Sequence, residues 1–185
     1  METGKQVALT GRLVIREFVT GDARFIQELM HTPGWVQFVG DRGVTDEESA
    51  VAYLVNGPIR NYREKGFGFY CMALKEDDTP IGMCGFVKRG GLEHIDFGFA
   101  ILPQYEGKSY AYEASERLLQ LAPELLSTDH LAAITALDNP RSTNLLRRLG
   151  FVFRKTIFLP GDPEKLNLYG LDLPQSNDHA LPPHA

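Results

Sequence analysis

The residues of this chain best placed for chemistry lie just beyond Pro103. Gln104, Gly107, Lys108 and Ser109 form a polar stretch between an apolar run, Ile95 to Leu102, and a pattern in which Ala111, Ala114, Leu118, Leu121, Ala122 and Leu125 share one helical face. The run holds two β-favouring phenylalanines and stops at a proline, which has no N–H to continue a sheet ladder. A strand, a tight turn and a helix start follow from that order. A turn that opens a helix presents unpaired N–H groups and the positive end of the helix dipole, which together suit phosphate. The stretch is therefore expected to hold a phosphorylated cofactor.

Gly107, Lys108 and Ser109 also spell the end of the loop that nucleotide hydrolases wrap around a triphosphate, and Leu131 to Asp138 resembles an apolar strand ending in a metal-binding Asp. That loop needs a glycine five positions before Gly107, where this chain has Leu102 and then Pro103. The hydrolase reading fails at that residue. The remaining composition points the same way. A net charge of -5 argues against a nucleic-acid partner and favours cationic substrates. Cys71 and Cys84 sit in apolar, strand-like runs, where a cysteine behaves as a small hydrophobe. No Cys or His pair has ligand spacing, so no metal is expected. No window approaches the ~20 apolar residues of a membrane span, and the first residues lack a secretory signal. A cytoplasmic protein with no membrane partner is the expectation.

The 185 residues suffice for one domain with a sizeable core. Residues 1–8 read as a flexible leader, 9–173 as a single domain and 174–185 as a disordered tail carrying His179 and His184. Leu13 to Phe18 alternates apolar and charged side chains as a first strand. Asp22 is placed to cap a helix with Phe25, Ile26, Leu29 and Met30 inward, ended by Pro33 and Gly34. Trp35 to Gly43 reads as a loop bearing large apolar groups. Thr45 with Glu48 fits a capping box for the next helix, kinked or broken at Gly57 and Pro58. Phe67 to Leu74, Ile81 to Val87 and the run ending at Leu102 are strands on short turns, hence antiparallel. The helix from Tyr110 to about Leu126 then allows Leu131 to Leu137 to pair in parallel. Asn139 begins a short helix closed by Gly150, and Phe151 to Leu159 and Leu166 to Leu173 end the domain as a strand pair. The fold class is α+β, three-layered, with a mixed, mostly antiparallel central sheet flanked by helices.

This order of elements resembles the GNAT superfamily of N-acetyltransferases, in particular the bacterial branch typified by the Rim enzymes that acetylate ribosomal-protein N-termini. Two motifs carry the resemblance, which runs from about Leu9 to Leu173. One is the Gln-x-x-Gly-x-Gly/Ala turn, matched by Gln104, Gly107 and, imperfectly, Ser109. The other is the Asn-x-x-Ser helix ending in Leu-Gly-Phe, matched by Asn139, Ser142, Leu149, Gly150 and Phe151. The resemblance implies acetyl-CoA as cosubstrate. Its pyrophosphate would rest on the N–H groups of Gly107, Lys108, Ser109, Tyr110 and Ala111. Its pantetheine arm would pair with the strand edge at Phe99, Ala100 and Ile101. Asn139 and Asn144 are further candidates for cofactor contacts, with a plain helix cap as the other role open to Asn139.

Acetyl transfer from a thioester to an amine needs a base, oxyanion donors and often an acid. Asp96 alternates with Gly98 and Ala100, so it shares a face with small residues that leave room for a ligand. It is the candidate base, with an ion pair to an arginine as its structural alternative; Glu93, in a turn, is weaker. Ser142 matches a family serine proposed to protonate the thiolate. Backbone N–H groups near Phe99 to Ile101 are placed to polarise the carbonyl. Trp35, Phe38 and Asp41, with the turn between the last two strands, are candidate substrate contacts. A protein or peptide N-terminus, a small amine and an amino sugar all remain open, as does a monomer or a homodimer. A non-catalytic module that keeps the fold and binds acetyl-CoA or another ligand is the alternative function.

Ser109 departs from the family motif, because a non-glycine residue with φ > 0 costs on the order of 1 kcal/mol. Its hydroxyl can offset that cost by bonding a phosphate oxygen. Ser109→Gly is therefore expected to change acetyl-CoA affinity by less than about tenfold, as measured by titration; a larger change would show that the turn has been misread.

Overall fold

Eight strands of a computed structural model, which describes residues 3–174, join into one sheet in the order β1-β2-β3-β4-β5-β6-β8-β7. They are β1 (Gln6–Leu9), β2 (Leu13–Arg16), β3 (Phe69–Leu74), β4 (Pro80–Val87), β5 (Ile95–Ile101), β6 (His130–Ala136), β7 (Val152–Phe158) and β8 (Lys165–Asp172). Every neighbouring pair is antiparallel except β5 and β6. Those two run parallel because α5 (Tyr110–Leu126) carries the chain back between them.

The sheet separates two cores. Phe86, Phe97, Leu118, Leu131 and Phe151 belong to one, beneath α5 and α6 (Pro140–Arg148). Ile26, Leu29, Leu54 and Met83 belong to the other, beneath α1 (Ala23–Met30), α2 (Pro33–Phe38) and α3 (Glu47–Leu54). A five-residue π turn, Val55–Ile59, contains Gly57 and Pro58 and joins α3 to α4 (Arg60–Lys65), so the expected kink takes the form of a widened turn. Gly150 adopts φ +92° just past α6 and closes it, as a C-terminal glycine should. Cys71 and Cys84 are free and buried, and burial pushes both thiols up. No helix among the described residues is long and apolar enough to cross a membrane.

Four sequence expectations need correction. Gln6 to Ala8, placed in the leader, instead join Leu9 in a strand that pairs with β2 and buries Ala8; four residues give too few alternations to read as a strand. Pro33 and Gly34 do not end α1 but open α2, because proline suits the first helical position and Thr32 caps the turn. Trp35 and Phe38 are thus helical. The capping box lies one residue later than expected, with Asp46 and Ser49 exchanging hydrogen bonds in place of Thr45 and Glu48. Asp22 makes no cap; its carboxylate instead accepts two bonds from the Arg16 guanidinium, at 2.9 and 3.0 Å, and a third from the Val19 N–H at 3.0 Å. Of the expected tail, residues 175–185, with His179 and His184, lie outside the described residues.

Arg16 and Asp22 are both buried, at 3% and 6% exposure; Arg16 also donates to the half-exposed Asp78 at 3.1 Å, whereas among the described residues Asp22 has Arg16 alone as its charge partner. Removing one member of such a pair strands the other. Arg16→Ala is expected to lower stability by about 3–5 kcal/mol, as read from the urea midpoint, and Arg16→Ala/Asp22→Ala to recover part of the loss.

Candidate active site

Sheet pairing fails at one place, and the site forms there. β5 and β6 are joined only at Ile95↔Leu131 and Asp96↔Ala132. Beyond those positions they part, β5 held by β4 out to Ile101 and β6 held by β8 along its whole length. The Leu102 N–H donates to the Ile81 carbonyl at 2.9 Å, on the β4 side. Strand alternation then turns the N–H groups of Phe99 and Ile101 the other way, toward the gap. They form an open strand edge, able to receive an extended, amide-bearing ligand.

The turn before α5 lies at the end of that edge. Gly107 (φ +73°) and Ser109 (φ +63°) are both left-handed, the first freely and the second at a cost of about 1–2 kcal/mol. Ser109 makes no side-chain cap, so the first N–H groups of α5, from Tyr110 and Ala111 onward, keep the unpaired state of a helix start. Arg12 fixes the turn from behind. It donates to the Lys108 carbonyl at 3.0 Å and to Glu113 at 2.8 Å, and its guanidinium lies 4.3 Å from the Tyr110 ring. Lys108 leans over the Tyr105 ring, at 5.5 Å, and Arg141 of α6 pairs with Glu106. Gln104 is exposed and its amide reaches only Glu28, at 3.4 Å.

Next to the gap is a cavity of about 350 Å³. Asp96, Ser142, Asn139, Phe99, Ala100 and the pair Trp35 and Phe38 all line it, so residues named separately from the sequence come together. Asp96 is 2% exposed. One carboxylate oxygen accepts from Arg89 Nε at 2.8 Å, and the other has no partner. Burial pushes its pKa up to about 6, with the Arg89 charge opposing the rise. The ion pair to an arginine that was left open for Asp96 is present on one oxygen, and the other oxygen is a free acceptor. Among the described residues, four buried side-chain polar atoms lack a partner, and three belong to cavity residues: Asp96 Oδ1, Trp35 Nε1 and Thr135 Oγ1. Each such atom costs roughly 1–3 kcal/mol, so their concentration marks a place built for a ligand.

Asn139 accepts the Ser142 N–H at 3.1 Å, the helix-cap role left open for it. The Ser142 hydroxyl has no hydrogen-bond partner among the described residues and is half-buried at the cavity wall. Asn144 is exposed and off the cavity, because helical spacing turns it away from Ser142. Asp41 is also off the cavity: its carboxylate accepts the Gly43 N–H at 2.7 Å in its own loop, and the neighbouring Arg42 lines the wall instead. Sequence reasoning passed over Arg42, Tyr53, Arg89 and Thr135. Arg89 was findable, since the β4–β5 hairpin sets Val87 opposite Asp96 and leaves Arg89 two residues away. Among the described residues no group of three or more His, Cys, Asp or Glu is placed to hold a metal.

Residues 12–152 match the family model of the acetyltransferase (GNAT) domain. The chain belongs to the GNAT family. It is 28% identical over 141 residues to the uncharacterized N-acetyltransferase YnaD of Bacillus subtilis (strain 168), covering 76% of this chain and 79% of that protein. The crystal structure of an acetyltransferase from Agrobacterium tumefaciens str. C58 superposes with a TM-score of 0.75 at 24% identity, over 92% of this chain and 96% of that one. RimL, a ribosomal L7/L12 alpha-N-protein acetyltransferase solved in complex with coenzyme A, gives 0.77 at 15% identity, over 91% and 98%. The sheet that parts after Asp96 is therefore a GNAT sheet, and the cavity lies within a GNAT domain.

Folding raises the Asp96 pKa from 3.8 to about 6, so between those values the folded GNAT domain binds a proton that the unfolded chain releases. Its contribution to stability is expected to fall as pH rises through that window, by up to about 1.4 kcal/mol per pH unit, and to level off above it. The difference in unfolding free energy between wild type and Asp96→Asn, measured from pH 4 to pH 7, isolates this dependence.

Proposed function

We propose that the chain transfers an acetyl group from acetyl-CoA to a primary amine by direct attack on the thioester. The observation that carries this reading is the shared cavity of an unpartnered Asp96 oxygen and the open edge of β5. The pantetheine amides pair with Phe99 and Ile101, and the pyrophosphate meets the N–H groups from Gly107 to Ala111. The same β5 edge offers N–H donors to the thioester oxygen as negative charge develops there. Asp96, ionised above about pH 6, takes a proton from the acceptor's ammonium group, directly or through one water, and so frees the lone pair that attacks. The C–N bond forms as the C–S bond breaks, the Ser142 hydroxyl protonates the departing thiolate, and the proton shed by the new amide nitrogen returns to Ser142 through solvent. Trp35 and Phe38 supply the apolar wall against which the acceptor packs.

Thermal melting with acetyl-CoA is the first test. A ligand at 100 times its Kd adds about 2.7 kcal/mol of stability, which gives a clear shift. Thiol release with an amine should follow, and Asp96→Asn should reduce it by about 10²–10⁴-fold. No shift at millimolar acetyl-CoA would overturn the reading. A shift with no thiol release from any amine would leave a binding module in its place.

A further inference from the structure

The cavity wall on the helical side of the sheet is rich in donors. Trp35 of α2, Arg42 of the loop that follows and Tyr53 of α3 all line it, as does Arg89 at the end of the β4–β5 hairpin. The Trp35 indole N–H is buried without an acceptor, in a side chain 8% exposed. Arg42 makes no ion pair or hydrogen bond among the described residues, unlike Arg12, Arg16, Arg24 and Arg89, each of which has a carboxylate. Arg89 gives only its Nε to Asp96, so its terminal nitrogens remain available. Burial pushes the Tyr53 hydroxyl's pKa up, and the neighbouring Arg42 and Arg89 charges oppose the rise. Among the described residues only two carboxylates line the same cavity. Asp96 is one; the other is Asp162 of the β7–β8 turn, one of whose oxygens accepts the Glu164 N–H at 2.9 Å.

We infer that the acetyl acceptor is an amine carrying a carboxylate a few bonds from its nitrogen, with the carboxylate against Arg42 and Tyr53 and the nitrogen at Asp96. This rests on the reading of the domain as an amine acetyltransferase and names the acceptor class. A guanidinium meets a carboxylate through two parallel hydrogen bonds, and both partners gain because neither has another. A diamine would instead bring its second positive charge against Arg42 and Arg89. The negative net charge of the chain, which favours cationic substrates from composition, does not extend to this wall. A cavity of about 350 Å³ lies at the lower end of the range for small-molecule sites, enough for an acceptor of amino-acid size. A free amino acid and the acidic N-terminal residue of a peptide present the same pair of groups.

The test is thiol release at saturating acetyl-CoA with matched acceptors. Free amino acids are compared with their carboxamides, short peptides beginning with Asp or Glu with those beginning with Asn or Gln, and an aliphatic diamine is included. At least one carboxylate-bearing acceptor should exceed its amide in kcat/KM by about tenfold or more, chiefly through KM. Whichever series shows the larger ratio identifies the source. Arg42→Gln should bring that ratio to within about threefold of unity, and Arg42→Lys should keep part of it. Equal rates with acids and amides, or a diamine that outruns both, would overturn the inference while leaving amine acetylation standing. So would an acid-to-amide ratio unchanged in Arg42→Gln. If acetyl-CoA neither shifts the melt nor releases thiol with any amine, the acetyltransferase reading fails first and this one with it.

Discussion

The structure depends on two neighbouring strands that cannot stay paired. β5 is committed to β4 along six residue pairs and β6 to β8 along seven, and the two strands part after Asp96. A sheet interior normally satisfies its backbone on both sides. Here the edge of β5 past Asp96 has a partner on one side only. Phe99 to Ile101 are half-buried, with α5 and α6 covering one face of the sheet and α1 to α3 the other. The side chains that border the gap share its lack of protein partners. Asp96, Trp35 and Thr135 each keep a buried polar atom without a partner.

Two arginine–aspartate pairs show how differently the fold treats the same chemistry. Arg16 and Asp22 close on each other with two bonds, the Val19 N–H takes up further acceptor capacity, and both side chains are buried. That pair is complete and ties β2 to the start of α1. Arg89 and Asp96 share a single bond at 2.8 Å, the arginine half-open to solvent and the carboxylate fully buried. With only one partner, burial outweighs the neighbouring charge and the pKa rises to about 6. The first geometry keeps both charges fully paired; the second leaves a buried carboxylate that ionises closer to neutral pH than an exposed one.

Much of this was legible in the sequence wherever periodicity ran long. The β3–β4–β5 meander, α5, the parallel β5–β6 pair and the closing hairpin are strongly patterned, and Gly107, Asn139 and Gly150 punctuate them with residues whose backbone preferences are specific. Asp96 could be found because its alternation partners are small. What escaped was short or tertiary. β1 has four residues, α2 has six, and the Asp46 cap differs from the expected one by a single position, within which several polar residues compete. Asp22 has the local signature of a cap, but a buried guanidinium from another element claimed it. Arg42 rather than Asp41 lines the cavity because a loop's side-chain directions are fixed by what it packs on, and no period encodes them.

Ser109 illustrates how a locally unfavourable residue survives. Its left-handed backbone costs about 1–2 kcal/mol, and its hydroxyl does not recover this by capping α5. The compensation comes from the β1–β2 turn, where Arg12 bonds the Lys108 carbonyl, pairs with Glu113 and stacks on Tyr110. Arg12 is 46% exposed, so solvent screening reduces its ion pair to roughly 0.2–1 kcal/mol, and the bond to Lys108 adds about as much again. The two sides are of similar size. The turn is thus held in shape by contacts made behind it, while Ser109 leaves the N–H groups at the start of α5 uncapped. A glycine would reach this conformation without help; a serine needs the clamp, and so couples the turn to the first hairpin of the sheet.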